Sequence, residues 1–299
     1  MKPQTEEIVA ALEELTEDLY YSLVGDEPYV IFTWEIEEKG SFSLENFLLA
    51  QKALTPFESE DFISEISQSQ SQSVKEHYQN LITLLQANLS ELKIYGYGFP
   101  ELPSDLFNGD LPIEEDELET LGIPIIIGLL PEGEWIGLAP GQNGKYNSSP
   151  SCILANLESV SENTSALLEQ IKSITSKIDH KMKSSDWGNI NIWRVVITST
   201  PNEVIEKLLS NTEFLHITEI EQFFSNIENQ MEELDEDEEI PTDLEKTIQL
   251  KDYFQSELRN YKVYNLDYMI TRESFTIHYV LGQTQDGDWM GLVTDSFTF

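Results

Sequence analysis

Histidines, cysteines and precisely spaced carboxylates are the side chains from which hydrolytic and metal-dependent sites are built. This chain has four histidines, His77, His180, His216 and His278, and a single cysteine, Cys152. No two histidines stand at a metal-ligand spacing, and one thiol makes neither an internal disulfide nor a structural zinc site. There is no G-x-S-x-G elbow, no phosphate-binding P-loop and no G-x-G-x-x-G after a strand. Gly96 and Gly98 in YGYGF lack the third glycine and the helix that such a loop needs. Carboxylates are abundant, 55 acidic side chains against 17 basic ones. At that density a pair of acids marks a catalytic site only if geometry brings it together. The run Asp235–Glu239 lacks the alternating ligands and the glycine of a calcium loop, and it reads as a solvated acidic tract. The sequence therefore points away from an enzyme and implies no cofactor and no metal.

The formal net charge of −38 is spread through both halves. Such a surface repels nucleic acid phosphates and anionic membranes, and it speeds encounter with cationic proteins. The first residues, MKPQTEEIVAALEELTEDL, are acidic and amphipathic and form no signal-peptide core. The longest apolar run, IPIIIGLL at 123–130, is too short to cross a bilayer. With one cysteine in the chain, a cytoplasmic location is expected.

What the chain does carry is a repeat. GLLPEGEWIGLAPG (128–141) and GQTQDGDWMGLVTD (282–295) share G-x-x-x-x-G-[DE]-W-x-G-L at an offset of 154. Each follows a β-rich run, so each acidic-Gly pair predicts a tight hairpin turn. Trp135 and Trp289, at the hairpin bases, are expected to cover their own sheets. Upstream, YQNLITLLQANLSELKIY (78–95) and TIQLKDYFQSELRNYKVY (247–264) match at an offset of 169. Leu81, Leu84, Leu85 and Leu89 mark one helix face, and Leu250, Tyr253, Phe254 and Leu258 mark its counterpart. The front halves also correspond. A helix, a turn (VGDEP or SSDWGN) and a strand (YVIFTWEIEE or INIWRVVITS) lead to a second helix. Ser43 is the expected N-cap of that helix in the first copy. Thr200, followed by Pro201, is the N-cap in the second.

The expected fold is therefore α+β, a tandem repeat of an α/β/α sandwich domain with a mostly antiparallel sheet. The first copy spans 1–142 and carries a Pro- and acid-rich insertion at 98–122, read as a surface loop or lid. A linker at 143–164 precedes the second copy, 165–299. The polar tracts SQSQSQS (67–73) and MEELDEDEEIPTD (231–243) are both expected to be mobile.

Laid out this way, both copies resemble the nuclease A inhibitor family, small acidic α/β/α proteins that block a sugar-non-specific, metal-dependent nuclease. The resemblance is carried by DEPYVIFTWE, PFESEDFISE, YQNLITLLQANLSELKIY and PEGEWIGLAP in the first copy. In the second it is carried by ITEIEQFF, LRNYKVY and FTIHYVLGQTQDGDWMGLVTDSF. It implies an inhibitor whose carboxylates mimic substrate phosphate in a cationic cleft, on a basic or metal-dependent nuclease or a similar enzyme. It implies contacts from the loop before the first strand and from the extreme C-terminus. Carried onto this chain, those are Asp26 and Glu27 in the first copy, Asp186 in the second, and Thr298 and Phe299. Two family contacts have no counterpart. Val24 stands where the family has a glutamate, and no tryptophan occurs in 67–77 or 228–246. The alternative reading is a non-catalytic protein–protein interaction or regulatory module with an unrelated partner.

Overall fold

The computed structural model describes residues 2–21, 27–98, 122–141, 151–154, 160–179, 192–225, 227, 240–270 and 273–298. The first half begins with helix α1 (Pro3–Thr16). A two-stranded ribbon follows, β1 (Tyr20–Tyr21) and β2 (Glu27–Pro28), and then strand β3 (Val30–Trp34). Next come α2 (Ile36–Lys39), α3 (Leu44–Ala50), β4 (Leu54–Phe57), α4 (Ser59–Ser69) and α5 (Gln72–Asn88). This half ends in three long strands, β5 (Ser90–Tyr97), β6 (Ile123–Leu129) and β7 (Trp135–Gly141). The second half runs β8 (Ser151–Leu154), α6 (Glu162–Thr175), β9 (Ile192–Thr198), α7 (Pro201–Asn211) and β10 (Leu215–Thr218). It closes with α8 (Ile220–Phe223), α9 (Thr242–Glu257), β11 (Arg259–Ile270), β12 (Glu273–Gln283) and β13 (Trp289–Thr298).

Local chemistry explains several element ends. The Ser43 hydroxyl accepts from the Asn46 amide, and Thr200 accepts from Glu203, as N-caps do. The hairpin glycines Gly133 and Gly287 adopt φ of 91° and 94°, which only glycine takes without strain. Gly128 and Gly282 answer a different need. A Cβ on either would lie 2.8 Å from Leu89 Cδ1 or 2.7 Å from Leu258 Cβ, so the long helix ends directly over the strand. The amphipathic pattern of EEIVAALEELTEDLYYSL (6–23) predicts a longer first helix than the one formed. It stops at Thr16, Asp18 turns at φ 59°, and Tyr20–Tyr21 continue as strand. The SQSQSQS tract also departs from expectation. Ser67–Ser69 end α4, and the Ser71 hydroxyl caps α5 by accepting from Val74, so serines at cap spacing build a helix junction rather than a mobile spacer. The insertion at 99–121 and residues 228–239 of the second acidic stretch lie outside the described residues.

Two large sheets form, and their composition does not follow the two halves. One has the order β10-β11-β12-β13-β3, the other β4-β5-β6-β7-β9-β8. The first-half strand β3 pairs antiparallel with the last strand of the second half, Trp34 opposite Trp289 and Val30 opposite Val293. Reciprocally, β9 of the second half pairs with β7, Thr198 opposite Trp135. The chain has exchanged its N-terminal units. α1, β3 and α3 belong to the second half's sheet, and α6, β9 and α7 to the first half's. The crossovers are the three-residue stretches 51–53 and 212–214. Each has a non-glycine residue in the left-handed region, Lys52 at φ 57° and Glu213 at φ 67°. The stretch expected as a linker also contributes structure. β8 pairs parallel with β9, and the first turn of α6 begins at Glu162.

The result is five layers, α/β/α/β/α. The middle layer is α3 and α7, and its core joins both halves: Phe32, Phe47 and Leu48 meet Ile205, Leu208 and Phe214 between the sheets. Alternation along the strands supplies that core, with Ile277, Tyr279 and Leu281 facing inward and Val280 outward. The outer face of the first-half sheet packs on α4, α5 and α6 through Tyr78, Leu81, Leu85 and Ile171. That of the second-half sheet packs on α1, α8 and α9 through Leu12, Ile220, Leu250 and Phe254.

Candidate partner-binding face

The exchange is pinned at the hairpin turns. Asp288, in the turn before β13, is buried at 1% exposure. Its carboxylate accepts from the Thr5 hydroxyl at 2.9 Å and from the Ile36 amide at 3.0 Å, and Lys2 Nζ lies 3.6 Å away. The start of α1 is thereby fixed to a turn of the other half. At the equivalent hairpin the start of α6 docks through a different atom set. The Ser161 hydroxyl donates to Glu132 at 2.6 Å, which holds that exposed carboxyl below its ordinary range. Glu134, the positional counterpart of Asp288, is exposed.

Two of the expected contact residues, Glu27 and Thr298, have described backbones, and both lie toward the opposite end of that sheet. Glu27 lies on β2, its backbone opposite Tyr21, and Thr298 ends β13, opposite Ser274. The β1–β2 ribbon is a separate small sheet that lies against β13, so the strands carrying Glu27 and Thr298, one from each half, are neighbours. Asp26, Asp186 and Phe299 lie outside the described residues.

Beneath the ribbon is a polar and aromatic patch on the outer face of the sheet. The residues had given no sign of it. Tyr21 stacks on Phe223 with ring centroids 4.9 Å apart and lies 5.1 Å from the His278 ring. His278 bonds through Nδ1 to Asn265 Oδ1 at 2.7 Å and through Nε2 to Ser296 Oγ at 2.8 Å. Burial holds its imidazole neutral and lowers its pKa to about 4. Burial likewise pushes the Tyr21 phenol up to about 12. Asp267 accepts from the Thr276 hydroxyl at 2.5 Å and lies 3.1 Å from His216 Nε2. Desolvation raises its carboxyl, against the pull of both partners. Both nitrogens of His278 are thus engaged in holding strands together, which suits a structural histidine rather than a proton shuttle. In the sequence, the alternation of FTIHYVL marks only which face His278 shares with Thr276; the Tyr21 contact depends on strand exchange. The tryptophans behave as their positions suggested: Trp135 is buried at a hairpin base, and Trp289 stacks on Phe42 at 4.4 Å. Among the described residues, no group of three or more His, Cys, Asp or Glu is placed to hold a metal ion, and no helix is long and apolar enough to cross a membrane.

A doubled α/β scaffold with mostly antiparallel sheets is the class that this architecture defines. The family model described as nuclease A inhibitor-like protein matches residues 6–104 and again residues 165–297, most of the chain. The chain therefore belongs to the nuclease A inhibitor-like family, in two tandem copies. A comparison with curated proteins finds no match.

Proposed function

We propose that the protein inhibits a nuclease, or a similar enzyme with a cationic active-site cleft, by presenting carboxylates where that enzyme takes substrate phosphate. The two family matches, together with a net charge of −38, support this reading most directly. A cleft built for phosphate offers metal and basic side chains, and an acidic protein surface complements both its charge and its hydrogen-bond donors. Asp26, Glu27, Asp186, Thr298 and Phe299 are the residues proposed to make the contacts, in a non-catalytic, cytoplasmic protein. One observation favours a regulatory module with another partner. Val24 and the absence of tryptophan from 67–77 and 228–246 remove two contacts that the resemblance implies.

The test is a titration of a sugar-non-specific, metal-dependent nuclease, with duplex DNA as substrate, against rising amounts of the full chain. Stoichiometric loss of rate at about 0.05 M salt, weakening at least tenfold by about 0.5 M as screening shortens the Debye length, is the expected result. Unchanged rates at large excess of the chain would remove this partner class.

A further inference from the structure

The surface at the ribbon end is not the property of either half. The first half supplies β1 and β2, while the second supplies β12, β13 and Phe223. Among the described residues, the ring contacts between them centre on Tyr21. Tyr21 is half-buried, stacked at an interplanar angle of 5° on Phe223 and inclined at 58° to His278. Tyr29, just beyond β2, meets the edge of Tyr21 at 6.2 Å, and its own phenol is pushed well up by burial. Under these rings His278 is fixed from both sides, by Asn265 of β11 and Ser296 of β13. Asn265 in turn donates to Thr218 Oγ1 of β10 at 3.2 Å, so the platform spans four strands of one sheet. A two-stranded ribbon with two residue pairs has almost no intrinsic stability and takes its order from what it packs on.

We propose that Tyr21, Phe223 and His278 form a clamp between the halves that positions the β1–β2 ribbon against β13, making one composite surface for a cationic protein partner. Tyr21 and its platform are positioning residues: they set the geometry and rigidity of the Glu27 strand beside the Thr298 strand. The partner in this proposal rests on the inhibitor reading above, while the clamp rests on the ring geometry alone. Pre-ordering the ribbon removes an entropic cost of binding, so its loss falls mainly on the dissociation rate. The composite end would meet its partner through residues from both halves.

Hydrogen exchange of the full chain and nuclease titration test this together. In Tyr21→Ala, amides of Tyr20, Tyr21, Glu27 and Tyr29 should exchange at least about tenfold faster while those of β11–β13 keep their protection, since the ring pair is lost but the sheet is not. Phe223→Ala, in the other half, should speed the same first-half amides, and Tyr21→Phe should match the wild type. The same two alanine variants should inhibit at least about tenfold more weakly than wild type through faster release. Unchanged exchange at the amides of β1, β2 and Tyr29 in both alanine variants overturns the clamp. Faster exchange with undiminished inhibition overturns its role in binding and leaves the inhibitor reading standing. Faster exchange in a chain whose wild type leaves the nuclease untouched keeps the clamp and overturns the partner.

Discussion

Asp288 and Glu134 occupy the same position in two copies of one turn, yet the exchange gives them opposite environments. Asp288 is enclosed by Thr5, Ile36 and Lys2, whereas Glu134 faces solvent. Asp288→Ala leaves a buried hydroxyl and a half-buried amide without their acceptor, and should cost about 1–3 kcal/mol in urea unfolding. Glu134→Ala should stay within about 0.5 kcal/mol of wild type. Equal costs would contradict the asymmetric pinning. His278 carries a second residue-scale prediction. Its folded pKa of about 4 lies below its ordinary value of 6.5, so between those values the unfolded chain binds a proton that the folded chain refuses. Stability should therefore fall as pH drops from about 6.5 toward 4, and this contribution should level off below that. Measured by urea unfolding, the stability advantage of wild type over His278→Gln should shrink by about 2 kcal/mol between pH 7 and 4.5. A pH-independent gap would show that the imidazole is not excluded from protonation. Neither residue stood out in the sequence. With 55 acids in the chain nothing distinguishes the one that folding buries, and a histidine in an alternating strand does not reveal which rings will cover it.

At the scale of elements, the two copies treat matching sheet edges differently. β8 covers β9 in parallel, but among the described residues β3 pairs with β13 alone. Lys39, from the short helix after β3, lies across that edge. Its ammonium donates to the Thr33 carbonyl at 3.0 Å and rests 5.4 Å from the Trp34 ring. A lysine on an open edge opposes pairing with another chain. Lys39→Ala should thus form concentration-dependent dimers by sedimentation at about 0.5 M salt, where the repulsion between acidic chains is screened. Wild type and Lys39→Arg should remain single. A Lys39→Ala chain that stays monomeric would assign edge protection elsewhere. Elements set by local signals were readable in advance: the hairpins from their glycines, α3 and α7 from Ser43 and Thr200, α5 from its leucine spacing. The SQSQSQS tract was not, because serine is equally at home in a polar spacer and as a cap. Only the Val74 amide that Ser71 accepts from distinguishes the two.

For the whole molecule, the duplication was plain in the sequence while the exchange was hidden. β3 and β9 both alternate, so their patterns do not say which half's last strand each pairs with, and a shared middle layer joins the halves. That layer makes a prediction. With a protease site placed between residues 143 and 149, the cleaved chain should migrate as one particle and separate only in denaturant, because each sheet holds strands from both pieces. Fragments that part in native buffer would contradict the exchange. The exchange has a further consequence for descent. Two domains strung side by side can be lost, shuffled or inactivated one at a time. Here an early stop codon would orphan β3 and deprive β7 of its neighbour. Deleting either copy would damage the survivor, so this gene cannot easily return to a single unit, and substitutions in one copy are selected through their effect on the other.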